Sequence, residues 1–149
     1  MSVQSAVKPS LALKRRFKAP PAKVFAAWTD AEKIRRWMAP GEMTVALAET
    51  DPRVGGRFRV VMRNPSGEEH DVGGVYREVV ANEKLVFTWA WKATPPEEPY
   101  ESLVTVLFKP DGGGTLLTVL HEHLFDEESR AGHERGWIGA LDNLEKFVG

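Results

Sequence analysis

His121, Glu122, His123 and, a little further on, His133 are the first residues whose side chains could do chemistry. Residues two apart on a strand point to the same side, so His121 and His123 are spaced to chelate one metal ion, with His133 or Glu134 as a third ligand. Against this, His123 falls where the strand pattern is ending, and no dense carboxylate cluster accompanies the pair. The sequence therefore favours no metal and no cofactor. His133 has a different setting. It lies one helical turn before Trp137 on an apolar stripe, which suits an imidazole that faces a pocket and offers a switchable donor or acceptor to a polar ligand head.

The aromatic residues form the second candidate. Trp28, Trp37, Phe58, Phe87, Trp89, Trp91, Phe108 and Trp137 are spaced to converge on one space, joined by Val60, Met62, Val104, Val106, His133 and Leu141. Any one of these rings is explained by core packing. As a set, with five tryptophans in one small chain, they favour a partly open, ligand-sized cavity that carries indole N–H groups as polar handles. Arg15 is the third candidate, a cation on the apolar side of a strand. It needs a partner: an ion pair with Asp51 or Glu122 is the structural reading, a ligand carboxylate the functional one.

No phosphate loop, dinucleotide fingerprint, GxSxG or HExxH pattern occurs, and Asp111-Gly112-Gly113-Gly114 is a hairpin turn with no helix behind it. No catalytic residue is assigned. Twenty basic against twenty-one acidic residues give a net charge of −1, which recruits neither nucleic acid nor an anionic membrane surface. With no cysteine, disulfides and thiolate chemistry are excluded. No apolar run reaches the length of a membrane span, so the expectation is a cytoplasmic protein.

The elements that must position these residues follow from periodicity. Residues 1–9 read as a loose leader, and residues 10–149 as a single domain. Leu11, Leu13, Arg15, Phe17 and Ala19 alternate as a first strand that Pro20-Pro21 stops. Two short helices follow. Val24, Phe25 and Trp28 mark the first; Ile34, Trp37 and Met38 mark the second, with Thr29 and Glu32 at capping-box spacing. From Met43 to Leu124 the period changes to two, giving about six strands separated by turns, including an acidic, proline-rich loop from Thr94 to Pro99. Gly73-Gly74 suggests a bulge or sharp bend. Short turns make these strands antiparallel. The chain from Asp126 to Gly149 is helical: Trp137, Leu141, Leu144 and Val148 recur at steps of four, three and four, Ile138 flanks them, and Arg135, Asp142 and Lys146 face water. Asp126 is the expected N-cap. Gly132, Gly136 and Gly139 each cost roughly 1 kcal/mol inside a helix; their small faces suit close packing, contact with another subunit or exposure to water.

This order, with Arg15, Ala19-Pro20, Val24, Ala27-Trp28-Thr29-Asp30, Trp37, Pro40, the run from Asp51 to Phe58, Leu85-Val86-Phe87-Thr88-Trp89, Thr115 to Thr118, His133, Gly136-Trp137 and Leu141, resembles the START-like superfamily. That superfamily is also called SRPBCC, or the helix-grip or birch-pollen-allergen-like fold. The closest likeness is to its branch of homologues of the activator of heat-shock-protein-90 ATPase (AHSA-like). The match runs from about Leu11 to Val148. It implies an α+β helix-grip fold: a curved antiparallel sheet of about seven strands around a long C-terminal helix, two short helices after the first strand, and a hydrophobic cavity between sheet and helix. The leading functional expectation is a small-molecule-binding protein whose ligand is apolar or aromatic. The alternative implied by the resemblance is a co-chaperone-like interaction module of the stress response, with a chaperone or client protein as partner. The third is an enzyme on an aromatic or lipid-like substrate, with His133 or His121 as acid–base group.

Overall fold

The computed structural model describes residues 8–92 and 100–148; most of the leader and the Thr94–Pro99 loop lie outside these residues. Seven strands and three helices run in the order β1 (Leu11–Phe17), α1 (Pro21–Thr29), α2 (Ala31–Trp37), β2 (Thr44–Thr50), β3 (Arg57–Arg63), β4 (Glu69–Val80), β5 (Lys84–Trp91), β6 (Glu101–Asp111), β7 (Gly114–Glu122) and α3 (Glu127–Val148). The strands make one antiparallel sheet of spatial order β1-β7-β6-β5-β4-β3-β2. From β2 to β7 each strand pairs with the next in sequence, because short turns allow nothing else. Strand β1 instead lies beside β7, with Leu11 opposite His121 and Phe17 opposite Thr115. The two short helices therefore carry the chain from one edge of the sheet to the other. The sheet curls around α3 as a helix-grip fold.

Helix α3 meets the sheet along the expected stripe. Trp137, Leu141, Leu144 and Val148 are buried, joined by Ala140, while Arg135, Asp142 and Lys146 are exposed. The carboxylate of Asp126 accepts from the backbone N–H of Ser129 at 2.8 Å, as an N-cap does. Strand alternation sends Val60, Val104, Val106, Phe108, Leu117 and Val119 into the same core.

Three local expectations are corrected. The cap of α2 is Asp30, whose carboxylate accepts from Glu32 and Lys33 N–H at 2.9 and 3.3 Å. The Thr29 hydroxyl turns back to donate to the Phe25 carbonyl at 3.0 Å, so no Thr29–Glu32 capping box forms. The register shift in β4 lies between Tyr76 and Glu78 rather than at Gly73-Gly74, where the ladder to β5 keeps its register but skips Gly74 and Val75. Gly74 is there because a Cβ would stand 1.9 Å from the Thr88 carbonyl oxygen. Arg15 pairs with neither Asp51 nor Glu122. Its guanidinium donates to Asp142 at 2.6 Å and reaches Glu145 at 3.4 Å, both on α3. Its strand is an edge whose inner side faces the polar flank of the helix, and Asp51 belongs to the opposite edge, where it holds Arg53.

Candidate functional site

Between the first half of α3, strands β3 to β5 and the segment after α2 lies a cavity of about 350 Å³. Met62 from β3, His70 from β4, and Trp89 and Trp91 from β5 form the sheet side. Ser129, Gly132, His133, Gly136, Trp137 and Ala140 form the helix side, and Met38, Pro40 and Met43 close one end. Trp89 and Trp91 both face it because they are two apart on one strand. Ser129, Gly132, His133, Gly136, Trp137 and Ala140 face it because each lies three or four residues from another of the set, which keeps them to one helical face.

The glycines of α3 have distinct roles here. A Cβ on Gly136 would meet nothing within 4 Å, and one on Gly132 would touch only the tip of Arg135 at 3.8 Å. Their missing side chains are part of the space. A Cβ on Gly139 would instead stand 2.8 Å from the Cβ of Pro40, so that glycine lets the α2–β2 segment close onto the helix. Asn143 secures the contact by donating to the Ala39 carbonyl at 2.8 Å. The two positions should respond with opposite sign. Gly136→Ala should gain up to about 1 kcal/mol of helix propensity, whereas Gly139→Ala should lose roughly 1–3 kcal/mol to overpacking. Thermal denaturation of the two variants checks this, and a gain at both would mean Pro40 does not seat there.

Two histidines back the cavity, each held in one tautomer. The Nδ1 of His121 accepts from the indole N–H of Trp137 at 3.1 Å. Its Nε2 must then carry the proton, donated to Ser102 Oγ at 2.8 Å, and Ser102 donates onward to the Trp89 carbonyl at 3.1 Å. Burial, helped by His133, pushes the His121 pKa down to about 3. His133 accepts from the indole N–H of Trp91 at Nε2, 2.9 Å away, and donates from Nδ1 to the Ser129 carbonyl at 2.7 Å. Burial lowers its pKa as well, opposed by the bond to Ser129. The imidazoles stand edge to face, 4.8 Å between centroids. Both are neutral near pH 7 and both have committed their ring nitrogens.

The metal reading of His121 and His123 does not survive this geometry. His121 is buried and fully engaged, while His123 lies past the end of β7, exposed, with a φ of 63° that turns the chain away. Among the described residues no group of three His, Asp or Glu side chains could hold a metal ion. With neither nitrogen free, His121 is not available as an acid–base group either.

Of the residues singled out in the sequence, Met62, Trp89, Trp91, His133 and Trp137 line the cavity. Trp28, Trp37, Phe58, Val60, Phe87, Val104, Val106, Phe108 and Leu141 are buried in the core around it. Trp28 stacks on Trp137 with 5.7 Å between centroids and packs on Trp37 at 4.7 Å. Phe58 meets Phe87 edge to face at 5.2 Å. These rings fix the wall tryptophans rather than meeting the space themselves. The indole N–H of Trp89 is buried and meets no acceptor among the described residues. Sequence reasoning missed Met38, Pro40, Met43, His70, Ser129, Gly132, Gly136 and Ala140 as lining. The available signal was the i, i+3, i+4 relation of Gly132, Gly136 and Ala140 to His133 and Trp137.

Comparison with known proteins agrees with this architecture. The chain is similar along its whole domain to a crystal structure of a Chromobacterium violaceum protein, with 27% identity over 93% of this chain and 96% of that one and a TM-score of 0.85. It is similar to the AHSA1 protein from Silicibacter pomeroyi, with 30% identity over 93% and 96% and a TM-score of 0.82. The AHSA1-like protein from Aeromonas hydrophila, solved in solution, is 25% identical over 94% and 92%, with a TM-score of 0.77. No curated protein sequence matches the chain. The profile of the family described as "Activator of Hsp90 ATPase homolog 1-like protein" matches residues 18–149. The chain belongs to that family.

Proposed function

We propose that this protein binds an apolar or aromatic small molecule in the cavity between the sheet and α3. The observation that carries the reading is the composition of the wall. Three tryptophans and three methionines surround a space that Gly132 and Gly136 leave unfilled. A packed core would have used those helix positions for side chains, since each glycine costs roughly 1 kcal/mol against alanine. The family's name brings with it the alternative of a co-chaperone-like interaction module, with a chaperone or client as partner; the cavity puts ligand binding ahead.

The test uses N-phenyl-1-naphthylamine, an uncharged fluorescent probe of apolar sites. It should bind saturably, quench tryptophan emission and raise the melting temperature with concentration, as linkage requires. Gly136→Leu places a branched side chain in the space. This variant should be at least as stable as the parent, yet bind the probe about tenfold or more weakly, because the site is occupied. No saturable binding to the parent, or equal binding by the variant, overturns the reading.

A further inference from the structure

Resting on the ligand-binding reading above, we infer that the cavity selects uncharged aromatic molecules of two or three rings and rejects anions of the same shape. Size comes first. An engineered apolar cavity of about 150 Å³ takes up benzene, and this one measures about 350 Å³. The space suits two or three fused or linked rings and is short for a long acyl chain.

Charge is excluded by what the wall contains and by how its polar atoms are committed. Among the described residues, no Lys, Arg, Asp or Glu lines the cavity. Of the helix cations near it, Arg130 is held by Glu127 and Glu134, each at 2.8 Å, and Arg135, whose guanidinium reaches within 3.8 Å of the Cβ position on Gly132, is exposed to water. The imidazole of His133 has both nitrogens engaged, one by Trp91 and one by the Ser129 carbonyl, so it offers an anion no free donor. His121 behind it is bonded at both nitrogens too. A carboxylate or sulfonate drawn among these side chains would lose water and gain no counter-charge from the wall. The polar groups that remain are the Ser129 hydroxyl and the half-exposed His70 ring. They suit a hydroxyl or carbonyl on an otherwise apolar body. Aromatic surface is favoured over saturated surface because Trp89, Trp91 and Trp137 offer faces and edges, and methionine sulfur packs well against rings.

Three matched competitors displacing N-phenyl-1-naphthylamine at pH 7.5 test the inference: 2-naphthol, 2-naphthalenesulfonate and decahydro-2-naphthol. The sulfonate should bind about tenfold or more weakly than 2-naphthol for want of a partner charge, and the saturated alcohol about threefold or more weakly for want of ring contacts. Gly132→Lys, whose Cβ has room, should narrow the sulfonate-to-naphthol gap by roughly fivefold by supplying a cation. A sulfonate that matches 2-naphthol in the parent protein overturns the charge selection, and a decahydronaphthol that matches it overturns the aromatic selection. Either result leaves the cavity reading standing, because the reporter has bound. Failure of the reporter itself to bind sinks that reading, and this inference with it.

Discussion

Trp137→Ala should cost roughly 3–5 kcal/mol, the range for removing a large aromatic side chain from a packed interior. The expectation is at the upper end, since three kinds of contact are lost together. The ring stacks on Trp28 and lies 5.1 Å from the centroid of Trp89. It anchors the centre of the α3 stripe. Its N–H is the donor that satisfies His121, and the acceptor left behind is buried. Trp137→Phe keeps a ring but removes the donor together with part of the indole's volume, and should cost about 1–3 kcal/mol. Lys146→Ala, on the water-facing side of the same helix, should cost under about 0.5 kcal/mol. Denaturant midpoints for the three variants decide it; similar losses for Trp137→Ala and Lys146→Ala would mean the helix is not gripped by this face.

Mild acid should destabilise the protein through His121. Above the ordinary histidine pKa of about 6.5, neither the folded nor the unfolded chain carries a proton there, and stability is at its full value. As pH falls below that point, the unfolded chain takes up a proton that the folded chain refuses until about pH 3. Stability therefore declines by roughly 1.4 kcal/mol per pH unit, or about 2 kcal/mol between pH 7 and pH 5. His133, whose pKa is also lowered by burial, acts in the same direction. Staying above pH 5 keeps carboxylate titration out of the measurement. His121→Gln can still accept from Trp137 and donate to Ser102. It should be less stable at pH 7 but show a shallower dependence on pH. A parent protein equally stable at pH 7 and pH 5, or a variant that keeps the whole slope, would show that the neutral His121 is not what acid attacks.

The fold was legible wherever a period was long enough to leave one interpretation. Trp137, Leu141, Leu144 and Val148 can share a face only on a helix, and Leu85, Phe87 and Trp89 only on a strand. The edge pairing of β1 with β7 was not legible, because no local pattern marks which strand a separated first strand joins. The cavity was legible in part: Met62, Trp89 and Trp91 on the sheet and His133 and Trp137 on the helix were read from sequence, His70 and the helix glycines were not. Trp89 and Trp91 announce themselves by size, but Phe58, Phe87 and Phe108 follow the same alternation and end in the core. Which rings meet open space depends on how far the helix stands from each strand, and no local spacing encodes that distance. The helix glycines invited reading as a cost, when Gly132 and Gly136 are wall and Gly139 is a seat for Pro40. Arg15 shows the same limit. Its need for a partner was plain from the strand, yet its partners sit on an element whose docking angle only the folded chain sets.

The pairing of Leu11–Phe17 with Thr115–His121 has a consequence for how the chain is made. A ribosome delivers β1 first, and its one partner strand is almost the last to emerge. Strands β2 to β7 can each join a neighbour soon after synthesis, as local hairpins do. The first strand must wait through more than a hundred residues of elongation, from Leu11 to His121, with Leu11, Leu13 and Phe17 uncovered. Lys14, Arg16 and Lys18 alternate with those apolar positions. In the finished fold they face water; during synthesis they give the waiting strand a charge on every second residue, which discourages it from pairing with the same strand of a neighbouring nascent chain.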